Sequence, residues 1–237
     1  FRTLKSLIKS INKASLLFKN IKFDLLITDT NSAKEDIVKI QQILNQSNIE
    51  NQFVSIDPKN FKDKIKPGYS EAKFSNMANF YTSLMVAKKD PADVIYFVED
   101  DYLHSENAIT EMIFAYEKLS TIFSKELVLL PADYPYLYSK DDATKIYLGE
   151  KHHWRLVSES LVTFMTSRKI IEENYSGLEK MGIEWTDPWE KPLHEIYNSY
   201  PCLSPIPSLA VHCANINSIF GVSPFINLKK LWNDNEN

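Results

Sequence analysis

Short apolar, strand-forming segments alternate with helix-patterned ones along this sequence, and three of the apolar segments run directly into acids. KFDLLITDTNS reads as a strand over residues 23–28 that stops at Asp29 in a polar turn. NQFVSIDP reads as a second strand ending at Asp57–Pro58, and Val94–Val98 runs without a break into Glu99, Asp100 and Asp101. Helical spacing separates them. Leu4, Leu7, Ile8, Ile11, Ala14 and Leu17 predict a helix over residues 2–18, with Lys5, Lys9 and Lys13 on another face. Ser32, with Glu35 three residues on, predicts a capping box for a helix carrying Ile37, Ile40, Ile43 and Leu44. A lysine-rich loop over residues 59–73 contains the turn signal Pro67–Gly68, and Ser75 is expected to cap the helix that follows. Alternation of this kind predicts an α/β fold with a mainly parallel sheet, whose ligands sit beyond the carboxyl ends of the strands. Asp29, Asp57 and the Glu99–Asp101 run would then share one edge.

The second half of the chain patterns less regularly. Ser105 or Asn107 is expected to start a helix reaching about Thr121. KELVLLPAD predicts a strand, RLVSESLVTFMTSRKIIEENY a strand and then a helix, and WTDPWEKPLHEIYNSY a helix opened by Asp-Pro. The tail from Pro201 reads as proline-rich loop with one short strand at Leu209–Cys213. No repeat or linker interrupts residues 1–237, so a single domain is expected.

Composition removes several function classes. Nothing in the overall charge, −4, suggests nucleic-acid binding. No apolar run approaches the ~18 residues a membrane span needs, although the basic amphipathic start is compatible with peripheral membrane contact. Two cysteines and no signal peptide fit a reducing compartment, so the expected location is cytoplasmic, with the membrane surface as an option. Five glycines and no G-x-G-x-x-G or P-loop argue against a Gly-rich phosphate cradle. With Phe at position 1, the sequence is expected to be a trimmed part of a longer chain.

Three adjacent carboxylates at the end of a buried strand repel one another where water screens them poorly. They could simply cap a helix or sit solvated. A hard cation such as Mg²⁺ or Mn²⁺ would remove the repulsion, taking one or two carboxylates from the protein and the rest of its shell from phosphate and water. The chemistry this implies is a metal holding a phosphorylated substrate.

The order of these motifs (TDTNS, SID, NMANFYTSLMVAKKD, VIYFVEDDY) resembles the nucleotide-binding half of GT-A fold glycosyltransferases, closest in pattern to family 2. The resemblance covers residues 1–110 well and the remainder loosely. It implies a Rossmann-like, mostly parallel central sheet flanked by helices, with an irregular acceptor-side C-terminal part. Residues 1–110 would bind the nucleotide sugar and 111–237 would carry acceptor and catalytic functions. Asp29 matches the acid that contacts base or ribose, and Asn79 stands where the family often has an Arg-Asn pair. Glu99-Asp100-Asp101 matches the DXD motif, with Asp101 on the metal and Glu99 and Asp100 on ribose or metal-bound water. Asp57, at the second strand end, joins them as a donor contact. The sequence departs from the family in lacking its first strand, which would lie upstream of Phe1.

The resemblance also implies a catalytic acid at a helix start after the acceptor loop. Asp187 is the first candidate and Glu184 the second, although Asp before Pro is equally an ordinary helix cap. A late His in that fold often binds metal or diphosphate; His212 fits, and a hydrogen-bonded core His is the alternative. Trp154 and Arg155 could stack on a sugar and pair with phosphate or carboxylate, or belong to a surface loop. Tyr134, Tyr136 and Tyr138 could line an acceptor groove or form an alternating aromatic strand. Together these readings predict a Mn²⁺- or Mg²⁺-dependent, inverting glycosyltransferase. It would move a sugar from a nucleotide-diphosphate donor to a glycan or glycolipid acceptor, as in polysaccharide biosynthesis. The alternatives are a sugar nucleotidyltransferase and a catalytically degenerate carbohydrate-binding or scaffold module.

Overall fold

The computed structural model describes residues 1–237 other than Asp142, Asn215 and Asn237. The first half runs α1 (Arg2–Leu17), β1 (Asp24–Asp29), α2 (Lys34–Asn45), β2 (Glu50–Ser55), α3 (Glu71–Lys89), β3 (Val94–Phe97), β4 (Tyr102–His104) and α4 (Ala108–Phe123). The second half runs β5 (Val128–Leu129), β6 (Ile146–Leu148), β7 (His153–Leu156), β8 (Phe164–Ser167), α5 (Arg168–Glu173), α6 (Tyr175–Met181) and α7 (Lys191–Ile196). It closes with β9 (Cys202–Ile206), β10 (Ala210–His212) and α8 (Leu228–Asn233). The chain is α/β, as predicted. No helix among the described residues is long and apolar enough to cross a membrane.

Two compact units share the chain, and neither is a continuous stretch. The first takes Phe1–Phe23, Tyr96–Met165 and the chain from Tyr200 onward; the second takes Asp24–Ile95 and Thr166–Ser199. The chain passes between them within β3 and within β8.

In the first unit, strands pair in the order β3-β8-β5-β9-β7-β6. The sheet is mixed: β5 and β9 are parallel, while β7–β9 and β6–β7 are antiparallel. Strand β7 runs antiparallel to both its neighbours and joins the sheet through β9, a strand hidden in what reads as a proline-rich loop. Its two prolines, Pro201 just before it and Pro205 within it, mask an otherwise fully buried run. Helix α4 covers the sheet through Ala108, Met112, Ala115 and Leu119, a single apolar stripe at helical spacing. These pack with Leu127, Leu129, Trp154, Met165, Leu203 and Leu209 into one buried cluster.

Helix α1 packs on the same unit and supplies acceptors to it. The Ser6 hydroxyl accepts the His104 N–H at 2.9 Å, and the Ser10 hydroxyl accepts the Ile109 N–H at 3.0 Å. Ile109 is in the first turn of α4, where N–H groups lack helical partners. Asn107 precedes the helix without a side-chain cap, so this end is satisfied partly from another helix rather than by the predicted local residue. The β6–β7 hairpin is held similarly. The buried carboxylate of Glu111 accepts the N–H groups of Glu150, Lys151 and His152 at 3.0, 2.9 and 3.2 Å. Gly149 lies so close that an added Cβ would collide with the Trp154 indole and the Glu111 carboxylate.

The second unit contains the parallel pair β1–β2 and helices α2, α3, α5, α6 and α7. Helix α3 starts at Glu71, capped by Ser70 rather than Ser75; Ser75 lies inside it and accepts a hydrogen bond from Asn31 at 2.7 Å. Helix α2 starts at Lys34 with no side-chain cap, because the Ser32 hydroxyl donates instead to Asp29. Helix α7 starts at Lys191, beyond Glu190, so Asp187 is not its cap. The predicted turn at Pro67–Gly68 is present, with Gly68 at φ +99°, a conformation glycine adopts freely.

Leu129 is fully buried at the centre of the first unit's cluster. Leu129→Ala should lower the unfolding free energy of that unit by about 2–5 kcal/mol through the cavity it leaves. Urea denaturation followed by circular dichroism measures this, with wild-type stability in the variant as the contrary result.

Candidate active site

The acids that follow β3 fall in the first unit, and strand pairing brings His212 to them. Strand β4 pairs antiparallel with β10, with Tyr102 opposite His212 and His104 opposite Ala210. The ladder continues by one bond, the Cys213 N–H donating to the Asp101 carbonyl at 2.8 Å. That register sets the His212 Nε2 2.9 Å from Asp101 Oδ2. The imidazole also stacks on the Tyr102 ring, centroids 5.1 Å apart at 29°. Tyr102 is itself fully buried and its hydroxyl meets that of Tyr134 at 2.5 Å.

Glu99 is fixed from the other side. Its N–H donates to the Thr163 hydroxyl at 3.0 Å, and the same hydroxyl lies 3.2 Å from Glu99 Oε2. Thr163 is fully buried one residue before β8. Asp100, between the two anchored acids, is exposed.

The electrostatics favour a positive charge here. Burial lowers the His212 pKa, but the hydrogen bond and charge of Asp101, followed by the charge of Glu99, outweigh it and raise the net value above the ordinary 6.5. The second Asp101 oxygen, Oδ1, is buried without a hydrogen-bond partner. A buried carboxylate oxygen left unpaired is costly. Among the described residues, no three His, Cys, Asp or Glu side chains converge closely enough to hold a metal by themselves. The Asp101–His212 pair nonetheless fits a divalent cation that draws the rest of its shell from phosphate and water, since Mn²⁺ accepts both carboxylate and imidazole.

The remaining predicted residues divide. Trp154 has no exposed surface, and its indole nitrogen donates to Glu111 at 3.3 Å, so no ring face is open to a sugar. Arg155 is buried, paired with the buried Asp133, and lies 4.3 Å over the Tyr138 ring. Burial raises the Asp133 pKa despite Tyr138 and Arg155, which act against it. Both residues therefore serve the core of the first unit rather than a loop surface. Tyr136 and Tyr138 lie in a 3-10 turn, Pro135–Tyr138, that Tyr134 precedes, not in an alternating strand.

In the second unit, Asp29 ends β1 and Asp57 follows β2, so those two acids leave the same edge of one parallel pair. The acids after β3 follow a strand of a different sheet. Asp57 caps a 3-10 turn by accepting the Lys59 N–H at 2.9 Å. Asn79, on α3, donates to the Thr28 carbonyl at 3.4 Å, one residue from Asp29. Glu184 pairs with Lys66 at 2.6 Å, and Asp187 is exposed.

Sequence reasoning missed Thr163 and the ring of Tyr102. No local pattern marks a threonine that works through a residue 64 positions away. Tyr102 was legible only as the residue after the acids.

No protein-family model matches the chain, and neither does any curated protein. A solved structure described as apo UDP-glucose pyrophosphorylase is similar over 98% of this chain and 85% of its own, with a TM-score of 0.47 and 9% identity. At that distance function does not follow from likeness of fold.

Because the His212 pKa is raised, its pairing stabilises the metal-free protein fully below the unfolded value of about 6.5, and that contribution is lost as pH rises through the folded value. In EDTA, His212→Gln should therefore lower Tm more at about pH 5.5 than at about pH 8.5. Equal losses at both pH values would mean that the pair contributes no charge-dependent stability.

Proposed function

We propose that the protein is a metal-dependent glycosyltransferase that uses a nucleotide-diphosphate sugar. The observation that carries this reading is the Asp101–His212 pair at the end of the β3 acid run, with one Asp101 oxygen buried and unpartnered. Asp101 and His212 would hold the cation. When bound, it would neutralise charge on the leaving diphosphate, where negative charge builds up during transfer. Glu99, fixed by Thr163, and the exposed Asp100 would contact ribose or metal-bound water. Asp29, Asp57 and Asn79 would contribute to donor binding, with Asn79 acting beside Asp29 through the Thr28 carbonyl. Asp187 would take the proton of the acceptor hydroxyl in an inverting transfer. It suits that role better than Glu184, whose carboxylate is paired with Lys66. Cytoplasmic or membrane-surface glycan assembly is the setting this chemistry fits.

Titration calorimetry of UDP with and without Mn²⁺ tests the metal site. Wild type should bind UDP more tightly with Mn²⁺, and Asp101→Asn should lose that gain by at least the roughly 10–100-fold seen when support to a metal site is removed. Metal-independent binding would favour a binding or scaffold module. Product analysis separates the enzyme classes: UDP release marks glycosyl transfer, and pyrophosphate release marks nucleotidyl transfer.

Asp187→Asn should keep UDP and Mn²⁺ affinity and lose transfer by about 10²–10⁴-fold, the usual size of a general-base contribution. Screening nucleotide sugars for turnover supplies the assay. Normal transfer by Asp187→Asn with loss in Glu184→Gln would move the role to Glu184.

A further inference from the structure

Within the second unit, the loop that carries Glu184 and Asp187 also carries a stacked tryptophan pair that no role above uses. Trp185 and Trp189 lie parallel, 4.7 Å apart at 5°. Trp189 is the buried member: its indole N–H donates to the Met181 carbonyl at 2.9 Å, and Phe80 meets it edge-on at 5.9 Å. Trp185 is half-exposed, and its backbone N–H donates to the Tyr69 hydroxyl at 3.0 Å. The Thr186 hydroxyl ties the turn by donating to the Pro188 carbonyl at 2.7 Å. Trp185 is thus a ring fixed from behind and along its backbone.

Its outer face carries Lys73, an exposed residue whose ammonium sits 4.4 Å from the ring centroid. An ammonium at that distance cannot lie between rings 4.7 Å apart, so it occupies the face away from Trp189. Such an exposed cation–π contact is weak and the lysine stem is flexible. Glu184, next to Trp185 in sequence, has its carboxylate 2.6 Å from the Lys66 ammonium, and Asp187, two residues on, is exposed.

We propose that the outer face of Trp185 is a carbohydrate subsite that takes a pyranose ring of the acceptor, with Lys73 as a placeholder when it is empty. A pyranose presents an apolar C–H face and a rim of hydroxyls. The Trp185 ring suits the face by stacking, and Glu184 and Asp187, its neighbours along the same loop, suit the rim by charge-assisted hydrogen bonds. The fixed backing by Trp189 leaves little side-chain freedom to lose on binding. Identifying the ring as the acceptor's rests on the transferase reading; the subsite itself does not.

The labelled full chain is applied to an array of immobilised glycans, and UDP–Mn²⁺ affinity is measured on the same samples. Wild type should bind at least one pyranose-containing glycan, and Trp185→Ala should lose that signal by tenfold or more with UDP–Mn²⁺ affinity unchanged. Lys73→Ala, a surface change, should bind the same glycan at least threefold more tightly because the placeholder is gone. Absence of glycan binding, full binding by folded Trp185→Ala, or unchanged affinity in Lys73→Ala overturns the subsite. If Trp185-dependent glycan binding persists while UDP–Mn²⁺ binding fails, the subsite stands and the transferase reading falls.

Discussion

Three residues of antiparallel ladder carry the candidate site. Strands β4 and β10 are short, and their register decides which side chains meet. Side chains alternate faces along a strand, so a slip of one residue would turn His212 away from Asp101 and off the Tyr102 ring. Two features oppose the slip. The His104 N–H is held by Ser6 of α1, and the ladder is extended by the Cys213–Asp101 bond. The placement of a carboxylate against an imidazole is therefore a property of backbone pairing, reinforced by a helix distant in sequence.

Hydroxyls recur as the means by which this fold satisfies backbone groups at awkward places. Ser6 and Ser10 serve β4 and α4, Thr163 serves the turn after β3, and Ser208 accepts the Asp133 N–H at 2.7 Å. Each is buried and each spans a long stretch of sequence. A buried N–H without a partner costs more than a hydrogen bond returns. Serine and threonine are small enough to supply an acceptor there without opening a cavity.

Periodicity made the first hundred or so residues legible. The helical stripe of α1, strands β1, β2 and β3, and the Gly68 turn all lie where local pattern points. Helix starts were less legible. Ser32 and Ser75 look like caps, yet each is engaged elsewhere, with Asp29 and Asn31, because nearby side chains compete for the same hydroxyls. The mixed sheet was hidden by prolines before and within β9, which suppress the local strand signal while the strand still pairs. Trp154 and Arg155 illustrate a further limit. Aromatic and charged residues in a His-rich loop pattern suggest a surface, but Glu111 accepts the Trp154 indole N–H and Asp133 pairs with the Arg155 guanidinium, and both residues are buried. Asp101 and His212 were legible as types and positions, whereas their closeness depends on a pairing that sequence alone does not display.

The interleaving of the two units imposes an order on their assembly during synthesis. Strand β9 and strand β10, both needed by the first unit, leave the ribosome only after the last segment of the second unit, which ends at Ser199. Helix α4 must therefore wait with its apolar stripe uncovered by Leu203 and Leu209 until those residues have emerged. The second unit has every one of its residues by then and can fold first. The first unit is consequently the last of the two to close, and during that interval its unpaired strand edges and bare helix face are the parts of these two units that most need shielding.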